Sequence, residues 1–214
     1  MHISRIINLT KKRIRDIITN PRLGFIVGVA LLKGCFYIVK YNLFYKNVKI
    51  KFPLRAYAQV KIIGSGSVFI DKGCSIYINV FQGLTIVTLS DDAKVFIGKG
   101  CALGGVTIRC HHKVVIGDRT MTAYSLVQDT FFLNSDKVKS YNINKVLTKE
   151  SIAVGENVWL GGQSIILGGC TIGKDSVLSL GSLCYHNKIG DYCFANYSPV
   201  RRALPIDKLL KLKG

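Results

Sequence analysis

From Val154 the chain carries an apolar residue at every sixth position: Val154, Leu160, Ile166, Ile172, Leu178 and Cys184. Two places before each of the last five stands a small or β-branched residue, namely Val158, Ser164, Cys170, Ser176 and Ser182. Glycine follows three of the six directly, as Gly155, Gly161 and Gly173. A period of six matches neither the helical 3.6 nor the alternation of a long strand, so it predicts short strands broken by regular turns. Three such strands close a triangular coil. The sixth-position side chain then points into the prism, the small residue fits a tight corner, and glycine relieves the turn beside it. Each coil buries the face of the next, so the coils stand only as a stack.

The period also runs through Ile97, Leu103, Cys110, Ile116, Thr122 and Gln128, with one extra residue between Leu103 and Cys110, and Ile70 and Ile76 carry it further back. Residues 51–198 are therefore expected to form an all-β solenoid, a parallel β-helix of hexapeptide repeats whose first coils, over 51–95, are imperfect. Residues 129–147 are polar, contain Asn134-Ser135-Asp136 and break the period, which predicts a loop expelled from the stack. Long loops on a rigid solenoid usually carry function. After Cys184 the repeat decays, and Pro205 to Leu212 reads as a short basic helix within a tail covering 199–214.

Residues 1–50 follow another pattern. Ile3, Ile6, Ile7, Ile14, Ile17 and Ile18 recur at helical spacing among Lys11, Lys12, Arg13 and Arg15 until Asn20-Pro21 stops the helix. The chain of 214 residues has a formal charge of +18, and residues 1–55 hold twelve Lys and Arg against the single acid Asp16. An anionic partner is implied. A basic amphipathic helix suits either the interface of an anionic membrane or packing on its own domain, and periodicity does not separate the two. The apolar run Leu23 to Leu32 ends at Lys33, short of the ~20 residues that span a bilayer. No membrane span is expected, nor a secretory signal, because the charged stretch ahead of the run is long and no small-residue cleavage site follows. Nucleic acid is not expected as a partner, because no recognition motif accompanies the charge. The seven cysteines are scattered without a Cys-x-x-Cys pair, which argues against disulfides or a zinc site and for a reducing cytoplasm.

The stretch Val154-Gly155-Glu156-Asn157-Val158-Trp159-Leu160-Gly161, continued by Ser164 to Gly173, resembles the signature of the hexapeptide-repeat acyltransferases. The variable N-terminal region, the interrupting loop and the Val158-Trp159-Leu160-Gly161 segment after it resemble the O-acetyltransferases of lipopolysaccharide and capsule synthesis. This resemblance covers roughly residues 65–202. It implies a left-handed β-helix, a homotrimer with sites between subunits, acetyl-CoA as acyl donor along the later coils, and a sugar hydroxyl as acceptor. It also implies a histidine base. A hydroxyl is a poor nucleophile at neutral pH, and a positioned imidazole accelerates its attack by about 10²–10⁴-fold. Backbone amides at the turns would hold the developing oxyanion.

In the family that base follows an aspartate at the start of the expelled loop. Here the segment reads Val127-Gln128-Asp129-Thr130-Phe131-Phe132-Leu133, with the aspartate and without the histidine. Four histidines remain: His2, His111, His112 and His186. Cys110 and Gln128 are eighteen residues apart, one coil, which sets His111 beneath Asp129 and His112 beneath Thr130 at about one strand spacing of ~4.8 Å. Either the pair supplies a displaced base oriented by Asp129 or it is a polar surface turn. The resemblance likewise places Trp159 at the acyl site, Gly161, Gly162, Gly181 and Ser182 along the pantetheine arm, and Arg201 and Arg202 at a CoA phosphate. The plain alternatives are exterior packing, turn residues and solvated arginines. No metal site is expected, since the three spaced histidines of the β-helical carbonic anhydrases are not supplied. Two functions stay open: an acyl-CoA-dependent sugar O-acyltransferase, and a non-catalytic trimeric relative that binds a sugar or a partner protein.

Overall fold

The structure, a computed structural model, describes residues 20–79, 82–130, 150–196, 198, 200 and 202–207. The six-residue period winds the chain into a three-sided stack of parallel strands. The first coil consists of β1 (Val48–Ile50), β2 (Leu54–Ala56) and β3 (Val60–Ile63). On β1 stack β4 (Ser67–Ile70), β7 (Lys94–Ile97), β10 (Lys113–Ile116), β13 (Ser151–Val154), β16 (Thr171–Ile172) and β19 (Lys188–Ile189). On β2 stack β5 (Cys74–Tyr77), β8 (Ala102–Gly104), β11 (Met121–Ala123), β14 (Trp159–Leu160), β17 (Val177–Leu178) and β20 (Cys193–Asn196), with β21 (Arg202–Pro205) added antiparallel. On β3 stack β6 (Leu84–Thr88), β9 (Val106–Cys110), β12 (Leu126–Gln128), β15 (Ile165–Leu167) and β18 (Leu183–Cys184).

The core is three vertical columns of aliphatic side chains. In the first sheet Ile50, Ile70, Ile97, Ile116, Val154, Ile172 and Ile189 lie one above another, all buried. Each such side chain contributes about 1.5–3 kcal/mol by leaving water, so these columns hold the stack together.

The third column corrects the expected register by one residue. Its members are Ile86, Ile108, Val127, Ile166 and Cys184, so Val127 and not Gln128 points inward. The corner after Leu103 is a residue short, turned by Gly105 with φ +60°, while β9 runs on to Cys110 before the next turn. Gln128 therefore pairs with Arg109, and its amide donates to the Thr130 carbonyl at 2.6 Å.

The N-terminal end of the stack is covered by helix α1 (Pro21–Phe44). Asn20 caps it by accepting from the Leu23 N–H at 3.3 Å, and Pro21 occupies the first turn, where no donor is needed. The helix reads through Lys33 and Lys40, beyond the Leu23–Leu32 run. Its mean hydropathy of 1.8 over a long enough segment meets the length and composition of a membrane-crossing helix, contrary to the shorter element expected. One face is committed to the coils. A Cβ on Gly34 would stand 1.8 Å from the Leu54 carbonyl oxygen, so the close approach needs glycine. Asn42 donates to the Ile50 carbonyl at 2.9 Å and accepts from the Ile50 N–H at 2.7 Å, while the Tyr41 hydroxyl donates to the Val60 carbonyl and accepts from the Ile62 N–H. The open edges of β1 and β3 thus find polar partners. The other face leaves Phe25, Leu32, Phe36, Val39, Leu43 and Phe44 exposed.

At the far end β21 carries the chain to Pro205, which pairs with Cys193, and Ala203 packs against the core. Ile206 and Asp207 turn helically, and the rest of the basic helix expected to Leu212 lies outside the described residues. The antiparallel strand covers the edge of β20. The basic helix expected within residues 1–19, most of the loop expected over 129–147 and residues 208–214 lie outside the described residues. That loop falls between β12 and β13.

Candidate active site

The turns joining the third sheet to the first form one edge of the prism, and most chemistry-bearing residues collect there. Successive coils contribute His111-His112, then Asp129 with the excursion and Glu150, then Gly168-Gly169, then Tyr185-His186. Asp129 is only 1% exposed. One carboxylate oxygen accepts from the His111 N–H at 2.6 Å, and the other accepts from the N–H groups of His112 at 2.7 Å and Lys113 at 2.8 Å. These are charge-assisted bonds to a nest of backbone donors. Asp129 thus meets the His111-His112 turn, as one coil of spacing predicts. The shifted register, however, aims its oxygens at backbone amides, so the expected orientation of an imidazole by this carboxylate is not what the geometry provides. Both histidines are half-buried. The Cys110 thiol lies 3.4 Å from Asp129 Oδ2; burial, then the neighbouring charge, pushes its pKa up to about 12, leaving a packed thiol and not a nucleophile.

One coil further, a different acid–imidazole pair forms. His186 Nε2 lies 3.0 Å from Glu150 Oε1, with the glutamate side chain mostly buried and the histidine about half exposed. The seat of the pair is Gly168-Gly169. A Cβ on Gly168 would meet Glu150 Oε2 at 2.7 Å, and one on Gly169 would meet His186 Nδ1 at 2.6 Å. His186 takes a left-handed backbone, φ +49°, its N–H donates to the Gly168 carbonyl at 3.2 Å, and its ring meets Tyr185 edge-on.

Two grooves lie outside the prism. One, of about 350 Å³, runs along the third sheet between Gln82, Thr107, Arg109, Tyr124, Leu126 and Gln163. Its mixture of amide, hydroxyl, guanidinium and apolar groups suits a sugar. The other, of about 520 Å³, crosses the first sheet, where Lys46, Lys49, Lys94 and Lys113 surround Phe69 and Phe96, stacked at 4.9 Å. Cations around an aromatic floor suit an anionic ligand.

The residues expected along CoA divide. Trp159 is half exposed on the outer face of the second sheet, between Met121 and Val177. Gly181, with φ +66°, has open space where a side chain would stand, so its backbone is approachable. Gly162 abuts the exposed Leu180. Gly161 is crowded by the Leu178 carbonyl and Leu180 amide of the next coil, which gives it a structural reason of its own. Ser182 is 1% exposed and its hydroxyl is buried without a partner among the described residues, because the second position before each core residue faces the corner's interior. Arg201 and the Arg202 side chain lie outside the described residues. Among the described residues no group of three His, Cys, Asp or Glu is placed to hold a metal ion.

No protein-family profile and no curated protein matches the chain. Among solved structures it is similar to a variant of AntD, an N-acyltransferase from Bacillus cereus, in complex with dTDP-4-amino-4,6-dideoxyglucose and coenzyme A. The identity is 14% over 81% of this chain and 95% of that one, with a TM-score of 0.52. The fold is the left-handed β-helix of the hexapeptide-repeat acyltransferases. A hexapeptide transferase family protein from Anaplasma phagocytophilum also matches, at 16% identity, 78% and 84% coverage and a TM-score of 0.43. The polySia-specific acetyltransferase NeuO matches at 15%, 75% and 80%, with a TM-score of 0.41.

In this hexapeptide β-helix, sequence reasoning missed the Glu150–His186 pair. The two residues are separated by 36 positions and meet only because the chain completes two turns after the excursion. A signal existed. His186 stands two places after core Cys184, and Gly168-Gly169 occupies the equivalent turn one coil earlier, so a histidine over two glycines was readable once the corners were aligned.

Proposed function

We propose that this protein is an acyl-CoA-dependent acyltransferase that moves an acetyl or other short acyl group to a sugar hydroxyl in the synthesis of bacterial lipopolysaccharide or surface polysaccharide. The observation that carries this reading is the prism edge of a hexapeptide β-helix on which an imidazole paired with a carboxylate stands beside the root of the excursion. AntD, bound to coenzyme A and an amino-sugar nucleotide, supports an acyl-CoA donor and a sugar-type acceptor. The hydroxyl acceptor, acetyl-CoA and a homotrimer come from the sequence resemblance, and a cytoplasmic location from the scattered cysteines.

In this mechanism the acceptor oxygen loses its proton to an imidazole as it attacks the thioester carbonyl, turn N–H groups hold the oxyanion, and the thiol leaves. His111 and His112 stay candidates for that imidazole, with Asp129 shaping the turn that presents them. Trp159, Gly162 and the open backbone of Gly181 would border the donor, and Arg201 and Arg202 would meet its phosphates.

The exposed apolar face of α1, together with Arg22, Lys33, Lys40 and Lys46, supports seating on an anionic membrane surface. Because the opposite face is bonded to β1 and β3, the helix would lie in the interface and not cross it. A second reading, a sugar- or partner-binding relative without catalysis, is favoured by one fact: the Asp129 carboxylate is taken up by backbone donors and no histidine follows it. Thiol release from acetyl-CoA, measured against hydroxyl- and amino-sugar acceptors, tests the first reading. CoA binding without turnover would favour the second.

A further inference from the structure

We propose that the general base of the transfer is His186, positioned by Glu150; the inference rests on the acyl-transfer reading above. Four observations lead there. The imidazole Nε2 is 3.0 Å from Glu150 Oε1, which fixes Nε2 as the protonated nitrogen and leaves Nδ1 with its lone pair. Gly169 carries no side chain, and one there would stand 2.6 Å from Nδ1 and 3.1 Å from Cε1, against the face of the ring, so glycine is what lets the imidazole lie on this turn and reach Glu150. The pair sits on the same prism edge as the excursion, with Glu150 at the point where the chain returns. Finally, the His186 N–H donates to the Gly168 carbonyl at 3.2 Å, which fixes the backbone that carries the imidazole, while a half-exposed ion pair adds little stability. Among the described residues the carboxylate at the His111-His112 turn is Asp129, and both its oxygens accept backbone N–H groups.

The step balances. The acceptor O–H proton passes to His186 Nδ1 while the oxygen bonds to the acyl carbon. The C–S bond then breaks and the departing thiolate takes the proton back, restoring neutral imidazole. Glu150 stays ionised throughout, accepts the Nε2–H and stabilises the transient imidazolium. His186 touches the reacting hydroxyl, whereas Glu150 acts through His186.

The experiment uses the full chain and acetyl-CoA with a panel of sugar acceptors, reading kcat, KM and the melting temperature. His186→Gln is expected to lower kcat by about 10²–10⁴-fold with KM for acetyl-CoA unchanged. Added imidazole should partly restore His186→Gly, a rescue that a purely structural role would not show. Glu150→Gln should lower kcat by roughly tenfold or more, and Glu150→Asp should recover part of the loss. Full activity in His186→Gln, or a loss confined to His111→Ala or His112→Ala, overturns the inference and leaves acyl transfer standing. A folded wild type that binds CoA but releases no thiol with any acceptor sinks the acyl-transfer reading itself, and the base with it. Should the His186 variants unfold, carbethoxylation of the wild type decides. Inactivation that tracks modification of His186 supports the assignment, and inactivation that tracks another histidine refutes it.

Discussion

Replacing Asp129 by asparagine separates a structural carboxylate from a catalytic one. The amide oxygen can occupy the position of Oδ2 and keep the His112 and Lys113 N–H groups, which now lie at 2.7 and 2.8 Å. The NH₂ group must then face the His111 N–H at 2.6 Å, donor against donor, in a site 1% exposed. One charge-assisted bond is lost and a buried donor is orphaned, a cost partly offset because no charge need be buried. The net is about 2–4 kcal/mol. In a chain of this size, each kcal/mol moves the melting temperature by about 2–4 °C, so a fall of roughly 5–15 °C is expected by calorimetry or circular dichroism. At a temperature where the variant is folded, kcat should stay within a few-fold of wild type. An unchanged melting temperature together with a hundredfold loss of kcat would refute the reasoning and return Asp129 to the catalytic machinery.

Three further outcomes follow from the structure. Gly34→Val should drive α1 off the Leu54 carbonyl, lower stability by at least about 2 kcal/mol and open the helix to limited proteolysis; an unaltered digestion pattern would contradict the docking. Changing Phe25, Leu32 and Phe36 together to serine should reduce flotation with anionic vesicles by tenfold or more, and equal flotation of wild type and variant would remove α1 from the membrane contact. The Lys72 backbone N–H, and then Lys51 at 3.3 Å, holds the Asp71 carboxyl below its ordinary range. A depressed folded-state pKa stabilises above the unfolded value of about 3.9, and the gain fades as pH falls toward the folded value. The stability gap between wild type and Asp71→Asn should therefore be full at pH 6 and shrink toward pH 3, and a gap independent of pH would count against it.

The repeat made the architecture legible because a core residue every sixth position has few other physical explanations. What it blurred was register. Cys110 and Val127 are both buried, and a spacing rule of six favoured Gln128 because it cannot see that Gly105 shortens one corner while β9 lengthens the next side. That slip moved Asp129 from the imidazoles of the His111-His112 turn to its backbone. The strand at Arg202–Pro205 was hidden for another reason: its pairing partner, β20, exists only once the last coil has formed. Glu150 and His186 were invisible to any local window, since their meeting depends on the stacking of two corners.

The bonds that Asn42 and Tyr41 make to the first rung carry a consequence for how copies of this molecule treat one another. A stack of parallel strands is open-ended by construction, and a bare terminal rung is a template on which a second solenoid can continue the ladder. Here α1 fills the N-terminal rung with its own side chains. Stripping the helix away would leave a molecule inclined to join end to end, so the segment that caps the first rung also keeps the particle finite.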